Sequence, residues 1–310
     1  MLGYERLFQK PALFTRTTGI KFGKFELLVS RAMILWNTAE QKRLNNKARK
    51  RAIGGGRKYR LETMELKIFF MLMFYRHNIT HELLGLWFNL DASNVTRLIG
   101  KLSLIFEEAA DPSLKAYLAR IKNCSKKIST DIEFYEQFPE FRLVCTDATE
   151  QRKQRSQDKE KRKSDYSGKK KAFTRKTQIS ISATSRIIDI SNTYPGSVHD
   201  KKVFDLEQTI KKMPAQSEYL KDLGYLGSPQ NNPKHKIILP HKRKKGQKEL
   251  PPAQKKFNKK HAQKRIIVEH TIGRIKRFRV CSDVYRGSEN GYNQMFRNVA
   301  ALVNLNTCVI

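Results

Sequence analysis

Acidic residues are scarce in this chain, cysteines scarcer, and no apolar run is long. Only 29 Asp and Glu stand against 62 Lys and Arg, giving a formal net charge of +33 over 310 residues. A surface that repels itself this strongly calls for a polyanionic partner, and nucleic acid is the one that fits. An anionic membrane is the rival. It fails for want of a spanning segment, because the densest apolar run, Ile68–Tyr75, falls well short of the roughly 20 residues a bilayer needs. Met1 to Lys10 has no apolar stretch of the kind a secretory signal requires. The four cysteines, Cys124, Cys145, Cys281 and Cys308, form no C-x-x-C pair, which speaks against both a zinc site and a disulfide framework. Free thiols in a reducing compartment are expected. The expected location is therefore intracellular, with the cytoplasm and nucleoid in a bacterium or the nucleus in a eukaryote. Charge alone does not separate an enzyme acting on nucleic acid from a structural RNA-binding protein.

What the chain does have is hydrophobic residues at 39%, enough for a real core, and a clear change of pattern along its length. Residues 1–60 read as a helical and basic segment of unassigned role. A helix is expected over Phe25–Trp36, then the basic stretch Lys42–Arg51, then a flexible Gly54-Gly55-Gly56 connection. Residues 61–125 read as all-α. Helices are expected at Met64–Arg76, at His81–Phe88 capped by Thr80, and at Asn94–Ala110 capped by Ser93. A short helix, a tight turn and a longer helix outline a helix-turn-helix, though a plain helical bundle shares that spacing. On the third helix Arg97 and Lys101 are the candidate DNA contacts.

Pro112 and the polar stretch Asn123–Thr130 mark a boundary, and residues 140–310 form the next domain. Strands are expected at Phe141–Asp147, Thr174–Ala183, Ser185–Asn192, Glu218–Asp222 and Lys236–Pro240. Helices are expected from His199 to about Lys211, over Ala253–Val280 and over Gly291–Thr307. Three strands, a helix, two more strands and closing helices give an α/β arrangement, matching by analogy the order of the ribonuclease H-like fold.

Four acids fall at the ends of these elements: Asp147, Asp200, Asp222 and, within the long helix, Glu269. Cleaving a phosphodiester requires an activated water and stabilised charge on the attacking and leaving oxygens. Two metal ions about 3.5–4 Å apart supply both. Magnesium prefers oxygen donors, so carboxylates distant in sequence but adjacent in space are the minimal protein contribution. Taken singly, each acid is equally a solvated charge, and Asp200 a helix cap. Arg265, Glu269, Ile272 and Lys276 share one helix face, which suits a helix lying along a phosphate backbone or an ordinary set of i,i+4 charge pairs. Ile266, Ile267 and Ile275 are the candidate buried stripe. Two Lys/Arg-rich loops, Gln151–Lys171 and His241–Lys260, would release counterions on binding a duplex.

Asp147-Ala-Thr-Glu150, Tyr166-Ser-Gly-Lys-Lys170, Pro195-Gly-Ser-Val-His-Asp200, Asp222-Leu-Gly-Tyr225 and Arg265-x3-Glu269-x6-Lys276 resemble, in this order, the signatures of DDE transposases. The similar branch is that of insertion-sequence enzymes related to Harbinger elements, and the likeness runs from about Thr63 to the C-terminus. The resemblance implies a ribonuclease H-like catalytic domain behind a helix-turn-helix, using two Mg²⁺ or Mn²⁺ ions. By position Asp147 would bridge both ions, with Asp222 and Glu269 each holding one. Asp200 matches a further acid of the branch, a ligand or an orienting group, and competes with Asp222 for the second place; Asp222 is favoured. Arg265, Lys276, Lys169 and Lys170 would contact DNA. Ala148 stands where glycine is usual, and Ala262 where a tyrosine is common. The implied activity is cleavage of mobile-element ends and strand transfer into double-stranded DNA, by a homo-oligomer when two ends are paired. A nuclease that does not join, and a DNA-binding regulator without catalysis, are the alternatives.

Overall fold

The computed structural model describes residues 4–45, 58–112, 114–128 and 130–307. The triple-glycine connection, the end of the Lys42–Arg51 stretch and Cys308 lie outside the described residues. Three helices open the chain: α1 (Tyr4–Phe8), α2 (Pro11–Thr18) and α3 (Phe22–Leu44). The expected Phe25–Trp36 helix is the middle of α3, whose apolar face continues further each way than the strongest periodicity. Phe8, Phe14, Phe22, Phe25 and Phe69 pack ring against ring and fix this region onto the next helix.

The helix-turn-helix follows as α4 (Met64–His77), α5 (His81–Phe88) and α6 (Ala92–Ala110). The Thr63 and Thr80 hydroxyls accept hydrogen bonds from Leu66 N–H and Leu83 N–H, satisfying amides that a helix start leaves open. Asn78 and Asn89 adopt left-handed backbone at φ +50° and +55°, which stops both helices. Asp91, not Ser93, precedes α6, and it makes no side-chain cap; Ser93 lies inside the first turn. The turn is tight because Gly85 has no side chain. Leu90 N–H donates to Gly85 O at 2.9 Å, and a Cβ on Gly85 would collide with the Leu90 carbonyl. Two more helices lie on either side of the expected Asn123–Thr130 boundary: α7 (Leu114–Ser125), which runs into it, and α8 (Asp131–Gln137), which follows it.

The sheet contains β1 (Leu143–Arg152), β2 (Tyr166–Ser167), β3 (Ala172–Ser182), β4 (Ile187–Ile190), β5 (Tyr194–Pro195), β6 (Glu218–Leu220) and β7 (Lys236–Ile238). Its order is β2-β3-β1-β6-β7, with β4 and β5 also paired to β3. β1 is antiparallel to β3 and parallel to β6, and β6 is parallel to β7, so the sheet is mixed. Between strands lie α9 (Lys159–Asp165), α10 (Asp200–Leu206), α11 (Thr209–Lys212) and α12 (Ser228–Asn231). The first basic loop is therefore partly helical. The single helix expected after His199 is broken at Gln208, whose φ is +49°. The long helices α13 (Pro252–Lys276) and α14 (Glu289–Thr307) complete a helical N-terminal region followed by an α/β domain.

The apolar core is continuous between the two. Leu102 and Phe106 of α6 and Val299 and Leu302 of α14 are all buried in one cluster with Ile179 and Ile181 of β3. Burying each such side chain contributes about 1.5–3 kcal/mol. Polar groups set the alignment. Asn298 Nδ2 donates to Tyr75 Oη at 2.8 Å and to Ser103 O at 3.1 Å, while Asn304 brackets Ile187 by accepting from its N–H and donating to its carbonyl. Both asparagines lie on α14, so this helix ties the helix-turn-helix to the sheet.

Candidate active site

Register places the first two acids. Cys145 of β1 pairs in parallel with Leu220 of β6. Two residues beyond each member of that pair stand Asp147, still within β1, and Asp222, just past the end of β6. Two expectations change in detail. Asp147 does not end its strand, because β1 runs on to Arg152 against β3; only its parallel pairing ends at Cys145. Asp222 lies two residues past β6 and opens a 3-10 turn, its Oδ1 accepting from Gly224 N–H at 2.9 Å. Asp200 begins α10 and arrives beside Asp222 over Gly224. A Cβ on that glycine would lie 3.0 Å from Asp222 Oδ1 and 3.2 Å from Asp200 Oδ2. Glycine here lets the two carboxylates share one space.

The acids carry cationic partners. Arg265 Nη2 donates to Asp147 Oδ2 at 3.1 Å, and Ala148 N–H donates to Asp147 Oδ1 at 2.8 Å. Lys176 Nζ pairs with Asp200 Oδ1 at 2.8 Å, reaches Val198 O at 2.6 Å, and stands 3.6 Å from Glu150 Oε1. Burial pushes the Asp147 carboxyl up to about 6; Arg265 opposes this, and the negative charges of Asp222 and Asp200 add to it. Beneath them Tyr225 is fully buried and donates to Gln178 Oε1 at 3.1 Å. Its phenol is held well above its ordinary range by burial and then by Asp147, Asp200 and Asp222. Three carboxylates therefore act on one buried ring.

Glu269 is one helical turn beyond Arg265 on α13 and is exposed. The four acids are not gathered around a point: among the described residues, no three acids, histidines or cysteines stand close enough together to hold one ion. Arg265 and Lys176 pair with oxygens of Asp147 and Asp200. The donors are all oxygen, the kind a hard divalent cation prefers, and the central carboxyl resists ionisation because it is buried.

The basic residues divide. Arg97 is exposed on α6, its guanidinium donating to Asn94 Oδ1 at 3.0 Å, and Lys169 and Lys170 are exposed between β2 and β3. Lys276 is half-buried, and its ammonium is lowered by burial and then by nearby Lys170. Lys101 is engaged within the protein. Its ammonium donates to Tyr59 Oη, lies 3.4 Å from Glu40 Oε1, and packs over the Tyr59 and Trp36 rings. The expected buried stripe of α13 also shifts. Val268, Thr271 and Ile275 are buried, while Ile266 is 48% exposed.

Sequence reasoning missed Lys176, Gly224 and Lys221. Two cations side by side, Arg175-Lys176, in an otherwise buried strand are the available signal for the first. Lys221 is fully buried beside Asp222, and its ammonium has no hydrogen-bond partner among the described residues and lies over the Phe204 and Tyr225 rings. Burial brings its ammonium down to about 6.

A mixed sheet with one acid on β1 and another just past its parallel neighbour β6, joined to a helix-turn-helix, is the arrangement of an enzyme acting on nucleic-acid phosphodiesters. The chain belongs to the DDE superfamily endonucleases, whose family profile matches residues 146–304. The profile for the helix-turn-helix of the same superfamily matches residues 59–110. A protein of Microchaete diplosiphon, described as a probable transposase for insertion sequence element IS702, is 28% identical over 243 residues, covering 78% of this chain and 80% of its own. A putative transposase for insertion sequence element IS112 of Streptomyces albus G is 28% identical over 129 residues, 41% of this chain and 47% of its own. No solved structure matches. Among the described residues no helix is long and apolar enough to cross a membrane.

Proposed function

We propose that this protein is an intracellular transposase that binds the ends of a mobile element in double-stranded DNA, cuts them, and joins the freed 3′ ends to a target. The observation that carries this reading is the register-matched approach of Asp147 and Asp222, with Asp200 beside them and the Glu269-bearing helix tied to Asp147 through Arg265. Residues 61–125 would recognise DNA and residues 140–310 perform the chemistry, while α3, from the segment 1–60, would brace the first of these. Asp147, Asp222 and Glu269 are the proposed catalytic acids and ligands of two Mg²⁺ or Mn²⁺ ions, with Asp222 as the second acid. Bound divalent ions would activate the attacking oxygen and neutralise charge on the leaving one.

The chain's own groups prepare that state. Asp200 is oriented by Lys176, and Asp147 by Arg265 and the Ala148 amide. Arg265 is placed to turn from Asp147 to a substrate phosphate, whose bidentate geometry a guanidinium matches. Arg97 on α6 and the Lys169, Lys170 and Lys276 group would hold the duplex on either side. Pairing two ends calls for a homo-oligomer. The test is nicking of end DNA in Mg²⁺ by wild type and Asp147→Asn: loss of nicking is expected, and retention of it refutes the assignment. Supplying a pre-cut end with a free 3′-hydroxyl then tests joining, which a nuclease without strand transfer lacks.

A further inference from the structure

Away from the acids, a cavity of about 330 Å³ opens where α2, α4, α13 and α14 meet. Arg16, Arg76, Arg274 and Arg277 line it, together with Phe278 and Asn306, and no acid does. Arg274 follows Arg265 by nine residues, half a turn round α13, so this cavity faces away from the catalytic acids. Arg16 and Arg277 are exposed at the rim, whereas Arg76 and Arg274 are half-buried. Among the described residues none of the four has a carboxylate within ion-pair distance. Arg76 Nη1 donates to the Arg277 carbonyl at 2.5 Å, and Arg274 Nη1 is buried with no hydrogen-bond partner.

We propose that this cavity is an anion site that takes a phosphate group, on a DNA backbone or as a free phosphate or diphosphate. Four guanidiniums around one space repel each other unless an anion joins them. Burial and then the Arg277 charge both push Arg76 downward, as that crowding requires. All four are arginine and none lysine, and arginine's planar fork is the side chain suited to phosphate oxygens. The space suits the ligand, for it equals about ten waters at roughly 30 Å³ each. The shape is fixed from both ends of the chain: Asn306 Oδ1 accepts from Lys21 N–H at 3.0 Å, and Gly19 abuts the Phe278 ring.

The experiment is done without metal, in EDTA, so that the catalytic reading plays no part; Asp147→Asn protein, whatever its own midpoint, should show the same anion-dependent change as wild type. Thermal unfolding is followed in sodium pyrophosphate and in sodium chloride of equal ionic strength. For a free anion, pyrophosphate at ten times its Kd raises the midpoint by about 2–4 °C over chloride, and Arg274→Gln removes the increment. For a backbone phosphate there is no such increment, but Arg274→Gln lowers the slope of log affinity against log salt for a duplex by about 1. Arg16→Gln, at the exposed rim, gives the same readings if Arg274→Gln fails to fold. An increment that survives the substitutions is a general effect of ions on a basic surface and overturns the proposal. Absence of both effects overturns it as well.

Discussion

Replacing Asp147 by Asn should stabilise the metal-free protein at neutral pH while destroying its activity. The folded carboxyl titrates at about 6 against an ordinary value of 3.8, chiefly because it is buried. A raised acid means the folded state keeps its proton to higher pH than the unfolded chain does. Stability is therefore greatest below about pH 4 and falls as pH rises from there to about 6. Two units at about 1.36 kcal/mol each give roughly 3 kcal/mol lost once the group is ionised. Asn mimics the neutral form at all pH values. Arg265 loses its counter-charge in that form too, so the penalty for leaving it unpaired is already inside the shift. Urea unfolding of both proteins in EDTA should show no difference near pH 4 and an advantage for Asp147→Asn of about 3 kcal/mol at pH 8. A difference that does not change with pH would refute the argument, because it would place the effect in packing and not in charge.

Adding Mg²⁺ at pH 8 should raise the unfolding midpoint of wild type and leave Asp147→Asn unmoved, as thermal scans with and without the ion would reveal. Glu269→Gln should abolish nicking yet change stability by no more than about 0.5 kcal/mol, because the side chain is exposed. Lys101→Ala should lower stability and leave the salt slope of DNA binding alone, whereas Arg97→Ala should reduce that slope by about 1; equal slopes for both would show that Lys101 does reach phosphate. Lys221→Met should stabilise the protein at pH 7, and the gain should shrink as pH rises toward 10.5, where the unfolded lysine also loses its proton. Gly85→Ala should cost about 1–3 kcal/mol and weaken end binding, through the clash with the Leu90 carbonyl.

Local chemistry made the helices legible. Thr80 caps where capping rules put it, and α5 has the expected limits, because caps and periodicity are decided within a few residues. The sheet was legible in order but not in extent. The apolar signal of β1 stops near Asp147, while the strand continues through Thr149 and Gln151, buried polar residues that pattern reading counts as loop. Gln151 stays in the strand because its amide donates at 2.8 Å to the carbonyls of both Val280 and Asp283, more than a hundred residues away. Lys101 shows the same limit. On α6 it has the spacing of a DNA contact, but its partners Glu40 and Tyr59 belong to a region whose approach no local pattern announces. The acids could be marked from the ends of apolar runs, although β1 runs past Asp147 and β6 stops before Asp222; the pairing of Arg265 and Lys176 with them could not.

Those cations explain how so basic a chain can keep its acids ready. Asp147, Asp200 and Asp222 share a half-buried space, where three negative charges together are unfavourable without a counter-ion. Arg265 and Lys176 provide one each. An arriving phosphate competes for Arg265, and a divalent ion competes for Asp147. Each exchange makes the other easier, since it removes the pair that opposed it. Substrate and metal should therefore bind with positive coupling: in the catalytically inactive Glu269→Gln protein, Mg²⁺ should tighten binding of end DNA. Removing the Arg265 charge by Arg265→Gln should cut that coupling several-fold, and coupling of unchanged size in Arg265→Gln would show that the Arg265–Asp147 pair has no part in it.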